Sequence, residues 1–283
     1  CLHCHGETSP ERWTFIGTED RGAGGLCWDA SMGFPGRLCA PNVTSDAATG
    51  LGAWTDGEIM RAIREGVRRD GAALFPVMPY PAYASLSDED TQAVVAYLRT
   101  LPAKTKQVPA RELPAPLALL VKFMPKPLPG PVVAPPRTDA VASGGYLATV
   151  AGCKLCHTPL DDRHMPDYTR AFQGGQTFRW AGGQVTSGNL TPHPTGLGGH
   201  TRASFIGLFR SLGAPELARE PVDPARNTVM PWVTYAGLTD DDLGALWAFL
   251  QALPPAEHAV AKPPRPARLT PAADAGRDVG SVR

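Results

Sequence analysis

The sequence lacks an excess of charge of either sign. Its 27 Lys and Arg residues are matched by 27 Asp and Glu, and the pI lies near 7.2. Binding to nucleic acid needs a basic face, so that class of partner is not expected. A long apolar run is also missing. The longest stretch, Pro116 to Met124, is broken by Lys122 and falls well short of the roughly 18 residues of a membrane span. Aromatic residues are few, at 7%. The chain opens on Cys1 rather than on a methionine, so an upstream segment such as a signal peptide or an anchor is expected. What is abundant is glycine and proline, 30 of each, which is high for a globular chain but below the level of a disordered one. With 283 residues, 43% of them hydrophobic, the chain can build one large core or two of ordinary size.

Six cysteines are present, and four fall in two C-x-x-C-H motifs, Cys1–His5 and Cys153–His157. Thiols at i and i+3 share one helical face and can add across the two vinyl groups of a single haem, while the adjacent histidine points at the iron. A lone motif of this kind also suits a redox dithiol or half a zinc site, but paired zinc knuckles sit closer together than these. Two covalently attached c-type haems are therefore expected, at Cys1 and Cys4 and at Cys153 and Cys156. The remaining pair, Cys27 and Cys39, is expected to form a disulfide, because thioethers of this kind are made outside the cytoplasm. Two buried free thiols are the alternative.

The motifs belong to a longer repeat with an offset of 152. Met78-Pro79-Tyr80 recurs as Met230-Pro231-Trp232, Leu86-Ser87-Asp88 as Leu238-Thr239-Asp240, and Leu101-Pro102 as Leu253-Pro254. Between these anchors Asn42-Val43-Thr44 matches Asn189-Leu190-Thr191, and Thr49-Gly50-Leu51-Gly52 matches Thr195-Gly196-Leu197-Gly198. The first copy has extra residues around Cys27 and Cys39, the second around Pro215 to Asn227. Two copies of one fold with compensating loop insertions are expected.

The helix signals agree. Thr55-Asp56-Gly57-Glu58 reads as a capping box opening a helix toward Gly66. Ser87 opens another, with Val94, Tyr97, Leu98 and Leu101 as its apolar face, repeated as Leu246, Phe249, Leu250 and Leu253. Ala142 to Gly152 reads as a short helix leading into the second motif; the equivalent first helix of the first copy is expected upstream of Cys1. The fold class is all-α: two domains, 1–104 and 139–256, joined by a proline-rich linker over 105–138 and followed by an extended tail over 257–283. Within the linker, Leu117 to Met124 is apolar and suited to packing on either domain or on a membrane-associated partner.

The sixth iron ligand separates an electron carrier from a catalyst. His5 and His157 are the expected proximal ligands. Met78 and Met230 hold the same place in both copies, and a thioether there favours ferrous iron and raises the potential. Met32, Met60, Met124 and Met165 have no matched partner and are expected to be packing residues. Histidines 3, 164, 193, 200 and 258 recur at no shared place and are expected in surface or loop roles, His3 lying within the attachment motif and badly placed to reach the opposite haem face. Asn42, Thr44, Asn189 and Thr191 recur and suit either haem propionates or a structural role, with Trp54, Tyr80, Trp180, Arg179 and Trp232 as further pocket candidates.

Each half resembles a class I cytochrome c domain. The run Asn42-Val43-Thr44, then Thr49 to Asp56, Arg64 to Gly71 and Met78 to Asp90 resembles the cytochrome c subunits of membrane-associated periplasmic dehydrogenases, such as those for alcohol and gluconate. The resemblance is close over 1–104 and looser over 139–256, where Gly199-His200-Thr201 stands in place of Trp54-Thr55-Asp56. It implies a periplasmic location or one on the outer face of the cytoplasmic membrane. It also implies redox partner proteins, including other subunits of a membrane-associated complex. Membrane contact would come through an upstream segment or those subunits. No catalytic residue and no small-molecule substrate are expected of an electron-transfer subunit. The competing readings are a dihaem enzyme of peroxidase or thiosulfate-oxidising type with one labile ligand, and a scaffolding subunit that binds through its proline-rich segments.

Overall fold

The computed structural model describes residues 1–15 and 21–261, so residues 262–283 of the expected tail lie outside the described residues. The chain is helical with few short strands, compatible with cytochrome c domains. In the first half, helix α1 (Asp56–Glu65) opens on the expected capping box, with the Thr55 side chain and Glu58 satisfying each other's backbone. It stops at Gly66, whose φ of 72° is left-handed and whose missing side chain leaves room for the Tyr80 ring 2.6 Å from a would-be Cβ. Helix α2 (Tyr80–Tyr83) is a single turn after Met78-Pro79, and α3 (Asp88–Arg99) is capped by Ser87 with three acids in its first turn. Around them Val43, Ile59, Ile63, Val95, Leu98 and Leu101 form one core.

The apolar face expected for α3 is rotated in the structure. Tyr97 is 51% exposed, and the inward row is Thr91, Val95 and Leu98. Thr91 can occupy that row because its hydroxyl donates to the Ser87 carbonyl at 2.7 Å, which removes the cost of burying it.

Residues 102–137 lie along the first half. Arg37 and Glu112 pair backbone to backbone, Arg111 donates to the Ala73 carbonyl, and Leu128 N–H reaches Glu65. Arg64, which is buried, donates to Asp88 Oδ1 at 2.6 Å, and Asp88 and Val132 exchange hydrogen bonds. The Arg64 bond, then the Val132 N–H, hold the Asp88 carboxyl below its usual range. Within this stretch the chain is not wholly extended: Ala115–Val121 forms helix α4, which opens after Pro114. Val121 is buried, while Leu119, Leu120 and Phe123 face solvent.

The second half contains α5 (Ala140–Val150), capped by Asp139, then the one-turn α6 (Cys153–Cys156), α7 (Arg202–Leu212), α8 (Pro215–Arg219), the one-turn α9 (Trp232–Tyr235) and α10 (Asp240–Gln251). Thr201 caps α7 in a box with Ser204, so the second half keeps the capping chemistry that Thr55 and Glu58 supply in the first. Helices α5 and α10 approach closely because Gly144 has no side chain: a Cβ there would lie 1.9 Å from the Ala245 carbonyl oxygen. Leu243, Leu246 and Leu250 of α10 join Ala148, Phe172, Leu197, Phe205 and Phe209 in the core. Truncating fully buried Leu243 to alanine would cost about 2–5 kcal/mol.

Among the described residues, each half also carries one small antiparallel ladder. In the first, β1 (Cys27–Trp28) pairs with β2 (Leu38–Cys39), and the Cys27–Cys39 disulfide joins the two residues that face each other. In the second, β3 (Thr177–Trp180) pairs with β4 (Gly183–Thr186) over four residue pairs. Among the unmatched methionines, Met60 packs on the first core, but Met32 and Met165 are exposed and fill no core.

Candidate functional site

Both C-x-x-C-H motifs are tight turns with a shared backbone pattern. The His5 N–H donates to the Cys1 carbonyl at 2.9 Å, and the His157 N–H to the Cys153 carbonyl at 3.0 Å. The four motif cysteines carry no disulfide. Each histidine ring is fixed by one backbone oxygen: His5 Nδ1 lies 2.7 Å from the Pro41 carbonyl, and His157 Nδ1 lies 2.7 Å from the Gly188 carbonyl. A carbonyl only accepts, so each ring donates from Nδ1 and keeps an unprotonated Nε2. Burial holds the His5 imidazole down to about 4, with the bond to Pro41 acting in the opposite sense; His157 is depressed by the same cause against the Gly188 bond. Two neutral imidazoles with free Nε2 atoms are the donor set that haem iron takes, and the outer carbonyl is the usual orienting partner of such a ligand. The residues present fit the group.

The thiols of the two motifs share a neighbourhood. Burial, then the nearby Cys156, pushes the Cys153 thiol up to about 12. Burial, then the charge of Cys4, raises Cys156. Tyr235 is raised by burial first, and then by Cys153, Cys156, Tyr83 and Cys4. Cysteines from both halves, with the two equivalent tyrosines Tyr83 and Tyr235, therefore lie within direct electrostatic reach of one another. Among the described residues, no group of three or more His, Cys, Asp and Glu side chains is placed to hold a metal ion by itself.

Met78 and Met230 stand in the same turn. The Tyr80 N–H donates to the Met78 carbonyl at 2.7 Å and the Trp232 N–H to the Met230 carbonyl at 2.8 Å. Tyr83 and Tyr235 N–H each donate to the carbonyl of the proline after the methionine, at 3.0 Å. Proline's fixed φ and the one-turn helix behind it hold the turn in one shape. Met78 packs against the first core and Met230 against the second. Trp232 meets Phe209 edge to face at 5.1 Å, Trp54 packs on the first core, and the Tyr80 hydroxyl is buried without a hydrogen-bond partner.

Asn42, Thr44, Asn189 and Thr191 form matched ties. Asn42 Nδ2 donates to Thr49 and to the Lys104 carbonyl, while its Oδ1 accepts from the Thr44 N–H and hydroxyl. Asn189 Nδ2 donates to Thr195 and to the Ala256 carbonyl, and its Oδ1 accepts the Thr191 N–H. Thr44 accepts from Lys104 N–H as Thr191 does from Ala256 N–H. Each tie fastens the chain that follows the last helix of its half to the residue after the histidine-orienting carbonyl. These bonds describe the structural one of the two roles that the sequence leaves open for the four residues.

Sequence reasoning missed the two orienting carbonyls, because a backbone oxygen has no residue signature. The available signal was position: Pro41 and Gly188 immediately precede the matched Asn42 and Asn189. Of the further pocket candidates, Trp180 lies on β3 and donates to the Pro224 carbonyl. His258 and His193 hold loops, through the Gln173 carbonyl and Thr195.

No protein-family profile matches the chain. It is 30% identical over 270 residues to the alcohol dehydrogenase (quinone) cytochrome c subunit of Gluconacetobacter polyoxogenes, covering 90% of this chain and 53% of that one. It is 31% identical over 176 residues to the gluconate 2-dehydrogenase cytochrome c subunit of Pantoea cypripedii, covering 56% of this chain and 35% of that protein. A diheme cytochrome c-type protein of Cereibacter sphaeroides is 26% identical over 227 residues, covering 78% of this chain and 73% of its own length. The chain spans about half the length of the first of these. The resemblance read from the motifs is thus borne out: the relatives are cytochrome c subunits of dehydrogenases and a dihaem cytochrome c.

Proposed function

We propose that this homologue of dehydrogenase cytochrome c subunits is a dihaem electron carrier built from two tandem class I cytochrome c domains, 1–104 and 139–256. In this reading Cys1 and Cys4, and Cys153 and Cys156, anchor the haems through thioethers. His5 and Met78 would hold one haem iron, and His157 and Met230 the other. When bound, each haem supplies one-electron chemistry, its iron passing between ferric and ferrous. The observation that carries the reading is the matched pair of rings whose Nδ1–H is spent on a backbone carbonyl and whose Nε2 is free.

The chain's own residues do the rest. Pro41 and Gly188 fix the ring planes. The Met-Pro turns present sulfur, which a ferrous iron prefers. The Ser87 N–H donates to the Tyr146 hydroxyl at 3.1 Å across the two halves, and this contact supports a short path between the two haem edges. We place the protein in the periplasm or on the outer face of the cytoplasmic membrane, docked to partner subunits of a dehydrogenase complex. Among the described residues no helix is long and apolar enough to cross a membrane.

Spectroelectrochemical titration of the haem-loaded protein, with carbon monoxide added after reduction, tests this reading. Two low-spin haems at positive potentials, inert to carbon monoxide, are expected. A haem that is high-spin, or that binds carbon monoxide, would remove a methionine ligand and bring the dihaem-enzyme reading forward.

A further inference from the structure

We propose that residues 10–15, which follow the first haem motif, are a positioning element for the methionine turn of the second half, acting through Asn227. The proposal rests on the reading of Met230 as an iron ligand. Asn227 is completely buried and uses all four of its hydrogen-bonding positions. Its Nδ2 donates to the Pro10 and Arg12 carbonyls, both at 2.8 Å. Its Oδ1 accepts from the Thr14 N–H at 2.9 Å and the Thr228 N–H at 2.8 Å. Three of these four bonds cross from one half to the other. The next step leads to the methionine: Thr228 Oγ1 accepts the Met230 N–H at 3.1 Å.

The crossing segment is held from every side. Trp13 is buried and its Nε1–H donates to the Leu212 carbonyl at 2.6 Å. The Val222 N–H donates to the Glu11 carbonyl, and Arg12 donates to the Arg219 carbonyl at 2.8 Å. Phe15 meets the Trp180 ring edge to face at 5.2 Å, and Trp180 itself donates to the Pro224 carbonyl. Within this grip Thr14 and Phe15 are both left-handed, with φ of 55° and 60°. Two consecutive non-glycine residues in that region persist only where their surroundings over-determine them, and such strain gathers at sites where geometry matters.

The first half has a different arrangement. There the Met78 N–H is taken by the Phe75 carbonyl, three residues back in the same loop. The Met78 turn is therefore set locally, whereas the Met230 turn is set by the other half. It follows that the ligation of the second iron, and with it that haem's potential, depends on the first half.

The test uses the full two-haem protein with Asn227→Ala, Trp13→Phe and, as references, Met230→Ala and Met78→Ala. The readouts are the far-red methionine-to-ferric-iron absorption, carbon monoxide binding by the reduced protein and the two potentials. Asn227→Ala is expected to reproduce the Met230→Ala signature: loss of up to half the far-red band, carbon monoxide binding to one haem of the two, and one lowered potential beside one unchanged. Trp13→Phe keeps an aromatic side chain but removes the indole N–H and its bond to Leu212, so a smaller loss at the same haem is expected, and this variant decides the matter if Asn227→Ala does not fold. If both variants keep the full band and stay inert to carbon monoxide while Met230→Ala does not, the positioning role is overturned. If Met230→Ala itself changes nothing, the ligand assignment fails, and the proposal with it.

Discussion

Asp46 and His193 occupy the same place in the two halves and close the same turn with opposite chemistry. In the first half Asp46 Oδ1 accepts from the Thr49 N–H at 2.7 Å and from the Thr49 hydroxyl. In the second, His193 Nδ1 accepts from the Thr195 N–H at 3.2 Å and lies 2.9 Å from the Thr195 hydroxyl. The ladders behave likewise: a disulfide closes a two-residue ladder in one half, and four residue pairs close the other without it. What stays constant is the histidine bond to a backbone carbonyl and the asparagine tie that follows it. Both halves thus close the turn and the hairpin at these places, and they do so by different chemistry.

Three experiments can break or sharpen that equivalence. The largest effect is expected from Cys27→Ser with Cys39→Ser. A bridge across a loop of this length contributes about 3 kcal/mol, so the loss should be felt first and most strongly in the first half, seen as hydrogen exchange that rises there more than in the second. Equal losses in both halves would mean that the ladders are not independent. Next, Asn42→Ala and Asn189→Ala should each cost about 2 kcal/mol, because each strands buried partners. Hydrogen exchange should then rise around Lys104 in the first variant and around Ala256 in the second; a marked inequality would show that one tie is redundant.

The smallest effect is local and depends on pH. Hydrogen bonds from Thr105, then from Thr49, hold the Asp46 carboxyl down at about 2. A depressed carboxylate contributes fully above its ordinary value and loses that contribution as pH falls through about 2. On acidification through that range the Thr49 amide should therefore lose exchange protection, and Asp46→Asn should remove the pH dependence; protection that survives below that range would mean that the turn is held by something other than Asp46.

Much of this scaffold was legible in the sequence, for physical reasons that differ by residue. Capping boxes are local, so Thr55 and Glu58 declared their helix, and the paired cysteines around β1 and β2 declared their bridge. The matched places of Met78 and Met230 were visible as a repeat, and the structure gives both the same turn. Tyr97 was misplaced because hydrophobicity alone cannot show that Thr91 buries by bonding Ser87. The histidine-orienting oxygens were invisible as side chains. Asn227 was hidden for another reason: it sits in an insertion with no counterpart in the first half, and three of its four partners lie more than 200 residues away in sequence.

That separation sets an order of events during synthesis. Thr14 and Asn227 are 213 residues apart, and Pro10 and Asn227 are 217 apart. A ribosome adding about 5–20 residues per second needs roughly 10–40 s to cover such a distance. For that interval the residues after His5 have their local turn bonds but lack their bonds to Asn227. Residues 10–15 can therefore take up their full set of hydrogen bonds only after the second half has been made.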